Sequence, residues 1–349
     1  MENKKDACLS ILDSVKSDGF LISHLVNIRY LTGFRGTFGY FLLTKKGHYL
    51  FTDSRYIEYA RRIMSGVHVV LLKNGLVRDL KDVFSKIKIR TLAYEYGNVS
   101  YHFYSKVVRL VNPGKLVPAR ETVEKMRMVK THGEVQKIKR ACHIIVSSIE
   151  NIRRDRKKYR GYTEKALADE IESAVRKKGA ISTSFPTIVA EGKNSSMPHY
   201  HSSPKKKIFF RPLLIDAGAV VDDYNSDLTR TLSDHKISKK FREIQQVVHE
   251  AQKRALSKIR PGIPAKDVDR AARDFIEKAG YGEYFGHGLG HGIGLEVHEG
   301  PLISKRSRAI LREGMVFTVE PGIYMPDQFG CRIEDVVVVT GKGYRILTR

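Results

Sequence analysis

The sequence predicts an α+β protein built from two domains. At 349 residues the chain is long enough for two ordinary domains, and its apolar fraction of 42% is close to that of globular proteins, so we expect a well-buried core. Residues 1–115 alternate short apolar runs with helical patterns, whereas residues 207–232 and 314–348 have the patterns of antiparallel hairpins. Antiparallel pairs favour an α+β arrangement over a doubly wound parallel sheet.

The N-terminal domain is predicted to span residues 1–120 and to be a mixed α/β unit. The segments FGYFLLT and HYLFTD indicate two strands that are joined around Lys45-Lys46-Gly47. RYIEYARRI has the apolar spacing of a helix, and VHVVLL and RTLAYEYG indicate two further strands. Strands and helices therefore alternate in this part of the chain.

The second domain is predicted to span residues 121–349 and to begin with a long amphipathic helix. Thr131 and Glu134 fit a capping box, and apolar residues then recur at intervals of three and four up to Ile152. Three more helices are predicted, at LADEIESAVRKKG and around residues 239–259 and 265–279.

Five residues of metal-ligand type lie in or beside apolar strands and glycine-rich turns of the second domain: Asp216, Asp227, His291, Glu320 and Glu334. Such apolar runs are usually buried, and acidic side chains are almost never buried without a partner. Four converging carboxylates would repel one another, whereas two divalent cations would balance their charge and leave the imidazole neutral. The sequence therefore predicts a two-metal hydrolytic centre.

Five motifs occur in the second domain in this order: FPTIVAEGKNSSMPHY, LLIDAGAVVDDYNSDLTRT, GHGLGHGIGLEVHEGP, TVEPGIY and CRIEDVVVVT. With NIRYLTGFRGTFG and FTDSRYIEYA in the first domain, they closely resemble the Xaa-Pro peptidases of the aminopeptidase P/prolidase group, in metallopeptidase family M24. The resemblance extends from Asn27 to the C-terminus. It implies a C-terminal pita-bread (creatinase/aminopeptidase) domain preceded by a creatinase-like mixed α/β domain.

The resemblance assigns the five ligand-type residues to two metal ions. Asp227 and Glu334 are expected to bridge the metals. Asp216 completes the shell of one ion, and His291 and Glu320 complete the shell of the other. An oxygen-rich site with one imidazole suits Mn²⁺, Co²⁺ or Fe²⁺, and Zn²⁺ also fits such a site.

Catalytic roles follow from the same resemblance. Glu320 is also expected to shuttle a proton from the attacking water to the leaving nitrogen. His199 and His298 are expected to hydrogen-bond the substrate carbonyl and stabilise the tetrahedral oxyanion, and His287 to line the substrate pocket.

Supporting positions are Arg332 and Tyr324, with Arg332 expected to orient a carboxylate such as Asp227. Two nearby residues depart from the family pattern. Glu191 stands where a small residue is usual, so it could attract a substrate α-amino group or face solvent. Cys331 stands where an aliphatic residue is commoner, so it could make the site sensitive to oxidation.

The implied reaction is hydrolysis of the peptide bond between an N-terminal residue and proline. Prolidases often carry an arginine shortly after the His-Glu pair, where it binds a dipeptide's carboxylate, but Gly300-Pro301-Leu302 follows His298-Glu299 here. This favours an Xaa-Pro aminopeptidase acting on longer peptides, with an Xaa-Pro dipeptidase (prolidase) as the alternative. Arg35 of the partner subunit is another candidate anchor for a carboxylate. A methionine-aminopeptidase-like enzyme is less favoured because it normally lacks the first domain.

The net charge of +24 raises the question of nucleic-acid binding. Basic clusters such as Arg153-Arg154 and Lys205-Lys206-Lys207 are scattered and lack interleaved aromatic residues. We therefore expect solvated basic surfaces and no nucleic-acid partner. A non-enzymatic basic binding protein on the same fold is the alternative.

Location and assembly are predicted as follows. No stretch approaches the ~20 apolar residues that span a bilayer, and the N-terminus lacks a signal-peptide pattern, so we expect a cytoplasmic protein without membrane association. Cys8, Cys142 and Cys331 are widely spaced and odd in number, which indicates reduced thiols. The family resemblance implies a homodimer.

Overall fold

The structure is a computed structural model that describes residues 10–105, 114–234 and 237–349. The chain divides into two compact units, Met1–Arg127 and Met128–Arg349. This division lies inside the helix Thr122–Met128, just beyond the boundary after residue 120 that the sequence suggests. The exact domain boundary therefore stays a prediction.

A six-stranded sheet forms the centre of the N-terminal unit. Its strands are β1 (Gly19–Ile22), β2 (Tyr40–Thr44), β3 (Gly47–Thr52), β4 (Val67–Leu71), β5 (Thr91–Glu95) and β6 (Lys115–Ala119). They lie in the order β4-β3-β2-β1-β5-β6, with β1 antiparallel to β2 and parallel to β5. The predicted strand pair around Lys45-Lys46-Gly47 is confirmed, because β2 and β3 form an antiparallel hairpin.

Helices accompany this sheet, and apolar side chains are buried on both of its faces. The helices are α1 (Leu25–Thr32), α2 (Ile57–Ile63), α3 (Leu76–Ile87), α4 (Tyr101–Phe103) and α5 (Thr122–Met128), and residues 10–15 are also helical. Phe20 and Ile22 of β1 belong to one buried cluster and Leu21 to another. Successive side chains of a strand point to opposite faces, which explains this alternation.

The four helices predicted for the C-terminal unit are confirmed, and a fifth, short helix at Arg156–Tyr159 was not predicted. They are α6 (His132–Arg154), α7 (Arg156–Tyr159), α8 (Glu164–Lys177), α9 (Lys239–Leu256) and α10 (Ala265–Lys278). The capping box at the start of α6 is confirmed: the Thr131 hydroxyl accepts a hydrogen bond from the Glu134 N–H, and the Glu134 carboxylate accepts one from the Thr131 N–H.

The strands of the C-terminal unit form two main sheets and two small ones. The strands are β7 (Ser182–Thr183), β8 (Ile188–Glu191), β9 (Leu213–Ala217), β10 (Ala219–Val221), β11 (Tyr224–Asn225), β12 (Leu228–Leu232), β13 (Gly290–Gly292), β14 (Glu299–Ile303), β15 (Val316–Val319), β16 (Gly322–Met325), β17 (Phe329–Arg332), β18 (Asp335–Thr340) and β19 (Gly343–Ile346). The main sheets have the orders β12-β9-β8 and β14-β13-β15-β18-β19, and the small ones β11-β10-β7 and β16-β17. Antiparallel pairing of β9 with β12 and of β15 with β18 confirms the two predicted hairpin regions.

Each main sheet packs against its own pair of helices. Ile149 of α6 and Leu167 of α8 belong to the same buried cluster as Ile215 of β9. Val248 of α9 and Phe317 of β15 belong to a second cluster. Burying one such side chain contributes about 1.5–3 kcal/mol, so these clusters hold the strands that carry the predicted ligands.

Two further observations concern the whole described chain. None of the helices in the described residues is long and apolar enough to cross a membrane. Cys142 and Cys331 are free and buried, and Cys8 lies outside the described residues.

The capping box at the start of α6 provides a test of this fold. Thr131→Ala removes the acceptor for the Glu134 N–H, so the free energy of unfolding should fall by about 1 kcal/mol. Urea unfolding measures it, and Lys139→Ala on the exposed face of the same helix should change stability by less than about 0.5 kcal/mol. Equal effects of the two substitutions would contradict a stabilising cap.

Candidate metal centre

The five ligand-type side chains are carried by the ends of paired strands. Asp216 lies in β9 and is paired with Thr229 of β12, directly after Asp227 and Leu228. Glu320 directly follows β15, and Glu334 directly precedes β18. Because Val319 is paired with Asp335, these two glutamates lie side by side. His291 lies in β13, which is hydrogen-bonded to β15. Strand pairing therefore brings together residues that are up to about 118 positions apart.

Asp227, His291 and Glu334 form a group that could hold a metal ion. One ligand atom from each lies within 4.8 Å of the others. The Nε2 atom of His291 is 3.7 Å from an Asp227 oxygen and 3.3 Å from Oε1 of Glu320. Four of the five predicted ligands are thus adjacent, and the fifth, Asp216, is tied to them through Arg332.

Arg332 holds Asp216 and its surroundings. Its guanidinium donates hydrogen bonds to Oδ2 of Asp216 at 2.5 Å, to the Tyr324 hydroxyl at 2.8 Å and to the Thr229 hydroxyl at 2.9 Å. The carboxylate that Arg332 orients is therefore Asp216, and not Asp227 as the sequence suggested. Thr229 in turn donates to a Glu334 oxygen at 2.8 Å, which links the two carboxylates.

Burial places the carboxylates under electrostatic strain. Burial raises the pKa of Asp227 well above its ordinary value, and the neighbouring Glu334 adds to the shift. The pKa of Glu334 is also raised well above its ordinary value, first by burial and then by Glu320 and Asp216. Burial also raises the pKa of Asp216, although Arg332 opposes the shift.

Glu320 differs from the other three carboxylates. Burial acts to raise its pKa, but the hydrogen bond to His291 and the positive charge of Arg332 outweigh burial, so its pKa is lowered. The same contact raises the pKa of His291 against the effect of burial. Glu320 is therefore the one of the four carboxylates whose surroundings favour the ionised form.

Three buried carboxylate oxygens support the fit of metal ions to this group. Oδ1 of Asp216, Oδ1 of Asp227 and Oε1 of Glu334 find no hydrogen-bond donor among the described residues. Leaving an ionised oxygen unpaired in a protein interior costs several kcal/mol. Divalent cations would satisfy all three oxygens and cancel the repulsion, so the residues present fit a metal centre.

A cleft of 1240 Å³ is lined by the five ligand-type residues and by the three predicted histidines. His199 and His298 line the cleft and are exposed in it, and His287 is partly buried in its wall. The rings of His291 and His298 have centroids 4.1 Å apart. Burial and the proximity of His291 lower the pKa of His298, so its ring is neutral at neutral pH. His201, to which the sequence assigned no role, also lines the cleft.

Two threonines that the sequence analysis missed hold the carboxylates in place. Thr229 donates to Glu334, and Thr318 donates to Oε1 of Glu320 at 3.1 Å while accepting from the His291 N–H. Each stands two residues from a ligand along the chain. Residues two apart in a strand point to the same face, so this spacing was the signal that could have identified them.

Two expectations about neighbouring residues are wrong. Glu191 neither lines the cleft nor faces solvent: it is 3% exposed, and its carboxylate accepts hydrogen bonds from the Phe209 and Arg211 N–H groups. Cys331 is fully buried, and burial raises the pKa of its thiol to about 12. Because the thiolate is the reactive form, Cys331 is protected from oxidation by its surroundings.

The raised pKa values make the stability of the metal-free protein dependent on pH. A carboxyl whose folded pKa lies above its unfolded value stabilises the fold at low pH, and this contribution is lost as the pH rises above the ordinary values of 3.8 for Asp227 and 4.5 for Glu334. The melting temperature of the chelated protein should therefore be lower at about pH 8 than at about pH 5. Added Mn²⁺ should raise it most at the higher pH.

A substitution separates this effect from general surface charge. Asp227→Asn should raise the melting temperature of the chelated protein by about 2 °C or more and abolish its rise with Mn²⁺. Asp222→Asn, at an exposed turn, should leave the metal response intact. A fall in the melting temperature of chelated Asp227→Asn would contradict the repulsion described above.

Comparison with known proteins supports this description of the fold. Residues 136–341 match the model of metallopeptidase family M24, and residues 5–129 match that of the creatinase/prolidase N-terminal domain. The chain is 34% identical over 355 residues to an Xaa-Pro dipeptidase from Pyrococcus horikoshii, covering 100% of this chain and 97% of that protein.

Solved structures agree with these matches. An Xaa-Pro dipeptidase from Bacillus anthracis aligns with a TM-score of 0.93 at 36% identity, covering 100% of this chain and 97% of the other. An X-Pro aminopeptidase from Thermotoga maritima aligns with a TM-score of 0.87 at 39% identity, covering 97% of both chains. The creatinase-like and pita-bread architecture expected from the sequence is thus confirmed. The chain belongs to metallopeptidase family M24, and is a peptidase that depends on divalent metal ions.

Proposed function

We propose that this protein is an exopeptidase that uses two divalent metal ions to hydrolyse the bond between an N-terminal residue and proline. The observation that carries the proposal is the set of three unpaired, buried carboxylate oxygens at one end of a large cleft. The similarity to an Xaa-Pro dipeptidase and to an X-Pro aminopeptidase, each along nearly the whole chain, supports the choice of substrate.

The five ligand-type side chains are proposed to hold the two ions. Asp227 and Glu334, whose ligand atoms lie within 4.8 Å of His291 and of each other, would hold the ions together with Asp216, His291 and Glu320. Oxygen-rich ligands with one imidazole favour Mn²⁺, Co²⁺ or Fe²⁺, and Zn²⁺ also fits. When bound, such a pair of ions lowers the pKa of a water molecule and polarises the scissile carbonyl.

Proton transfer is assigned to Glu320. Its carboxylate faces the cleft, its side chain is 15% exposed, and its pKa is lowered, so it is ionised and able to accept a proton from water. It then passes that proton to the leaving proline nitrogen, which must be protonated for the peptide bond to break.

The histidines of the cleft are assigned to the substrate. His199 and His298 lie on the wall of the cleft, with the His298 ring beside His291. A neutral imidazole at this position can donate one N–H to the oxygen of the tetrahedral intermediate, where the developing charge strengthens the hydrogen bond. His287 contacts the Tyr324 hydroxyl and lines the same cleft.

Leu302 supports a preference for peptides longer than two residues. It is paired directly with His291 across β13 and β14, it is 53% exposed, and it lines the cleft. Lys165 and Arg332 are the lysine and arginine that line the described cleft. The guanidinium of Arg332 is already hydrogen-bonded to Asp216, Tyr324 and Thr229. The C-terminal carboxylate of a dipeptide therefore lacks a free guanidinium in the described cleft. Dipeptidase activity remains the alternative, and the names of the relatives support both activities.

The assembly and the location of the protein are also proposed from the family. We expect a homodimer, as the family resemblance implies, and we expect it in the cytoplasm. Two arginines of the basic clusters form ion pairs with acids on their own helices, Arg153 with Glu150 and Arg176 with Glu172. These pairs favour solvated helix faces over a nucleic-acid interface.

Peptide hydrolysis tests the proposed function. The wild-type protein, loaded with Mn²⁺, Co²⁺ or Zn²⁺, should release the N-terminal residue from Ala-Pro, Gly-Pro or a longer Xaa-Pro-Xaa peptide. Glu320→Gln should lower kcat by about 10²–10⁴-fold because the proton acceptor is lost. Glu313→Gln, at an exposed position nearby in sequence, should retain normal turnover. The absence of product from every peptide and metal would refute the proposal.

Leu302 provides a test of substrate length. Leu302→Arg places a guanidinium beside the site, so it should raise the ratio of dipeptide to tripeptide kcat/KM by roughly tenfold. Leu302→Met keeps the volume and the apolar character, so it serves as the control. If the ratio is unchanged in Leu302→Arg, this position does not determine substrate length.

A further inference from the structure

We infer that Arg273, on the helix α10, is a positioning residue for His287. The inference rests on the proposed peptidase function, and assigns a role to a buried pair of charges that the metal centre does not contain. Arg273 reaches no lining position of the cleft in the described structure. Its effect on the substrate must therefore pass through the residues that it holds.

Arg273 is anchored by a buried carboxylate on its own helix. Asp269, one turn earlier, is 0% exposed. Its carboxylate accepts hydrogen bonds from Nε of Arg273 at 2.8 Å and from Nη2 of Arg273 at 2.9 Å. Two parallel N–H···O bonds fix the plane of the guanidinium as well as its position. The side chain of Arg273 is 20% exposed, so solvent screens this pair only in part.

The remaining donors of the guanidinium hold the segment that precedes the metal ligand His291. Nη1 of Arg273 donates to the Phe285 carbonyl at 3.0 Å, and Nη2 donates to the His287 carbonyl at 2.7 Å. The guanidinium carbon also lies 4.2 Å from the centroid of the Phe285 ring. Asp269 accepts a hydrogen bond from the Leu289 N–H at 3.0 Å, so Arg273 and Asp269 together bind both ends of residues 285–289.

By holding the backbone of His287, these hydrogen bonds fix the position of its imidazole. Nδ1 of His287 lies 2.8 Å from the Gly288 carbonyl, which can only accept, so this nitrogen carries the proton. Nε2 is then free to accept from the Tyr324 hydroxyl at 3.0 Å, and Tyr324 accepts from Arg332 at 2.8 Å. Burial lowers the pKa of His287, in agreement with a neutral ring of fixed tautomer.

The chain of contacts thus runs from α10 to a proposed metal ligand. Arg273 fixes the backbone of His287, the ring of His287 fixes the Tyr324 hydroxyl, and Arg332 joins Tyr324 to Asp216. Without the two carbonyl contacts, the backbone of residues 285–287 would lose both hydrogen bonds that tie it to α10, and the buried Phe285 side chain would remain as its anchor in the core. The ring of His287 would then sample several positions in the cleft wall, and substrate would meet a less ordered site.

Kinetics of matched variants test the inference. Arg273→Met should lower kcat/KM for an Xaa-Pro peptide by about 10–100-fold, as is common when a group behind an active-site side chain is removed. Arg270→Met is the control, because Arg270 lies on the same helix with an exposed side chain and contacts Asp267 on the surface. It should change kcat/KM by less than about twofold.

A double-mutant cycle distinguishes positioning of His287 from a general loss of structure. In a His287→Ala background, Arg273→Met should lower kcat/KM by less than about threefold, because the residue through which it acts is absent. A loss as large as in the wild-type background would overturn the inference. If Arg273→Met does not fold, Arg273→Lys takes its place in the cycle, since lysine keeps the charge beside Asp269 but lacks the fork.

A readout without turnover separates this inference from the proposed function. In chelated protein labelled at its 13 histidines, the ring resonance of His287, identified by its loss in His287→Ala, should shift or broaden in Arg273→Met and stay unchanged in Arg270→Met. An unchanged resonance in Arg273→Met would overturn the positioning role even if the enzyme is active. Failure of the wild-type protein to cleave any peptide would instead refute the proposed function.

Discussion

Four carboxylates that cannot all be ionised together without counter-charge are the constraint on which the structure of the C-terminal unit depends. Asp216, Asp227, Glu320 and Glu334 lie at the ends of strands that two apolar cores hold in place. Only Glu320 has a lowered pKa, and one oxygen on each of the other three finds no donor in the described residues. Apolar packing thus holds carboxylate oxygens in place without hydrogen-bond donors, and bound metal ions would supply their missing partners.

The surroundings of the carboxylates limit how they can move. Thr229, Thr318 and Arg332 each hydrogen-bond one carboxylate oxygen, on Glu334, Glu320 and Asp216 respectively. The second oxygen of Glu334 and of Asp216 finds no donor among the described residues. A second set of contacts, from Asp269 and Arg273, fixes the segment that carries His287. The two sets of contacts meet at the hydrogen bond between Arg332 and the Tyr324 hydroxyl, so the segment that carries His287 is connected to the proposed ligand Asp216.

Sequence patterns predicted the helices and strands and indicated the candidate ligands because both leave local signals. Alternating apolar residues indicated the β2–β3 hairpin, and acids at the ends of apolar runs indicated Asp216 and Glu320. The partners of these residues depend on which distant strands meet, and local patterns do not record that. Glu191 was misjudged for this reason: its hydrogen-bond donors, at Phe209 and Arg211, lie just before β9 and approach Glu191 only because β9 pairs with β8.

The number of divalent ions bound per chain tests the central claim most directly. Protein stripped by a chelator is titrated with Mn²⁺ in a calorimeter, with the wild type and Glu334→Gln compared under the same conditions. Two ions per wild-type chain, and fewer in Glu334→Gln, are predicted by a centre that four carboxylates and His291 share. A wild-type chain that binds one ion or none, or a Glu334→Gln chain that still binds two with unchanged affinity, would contradict it.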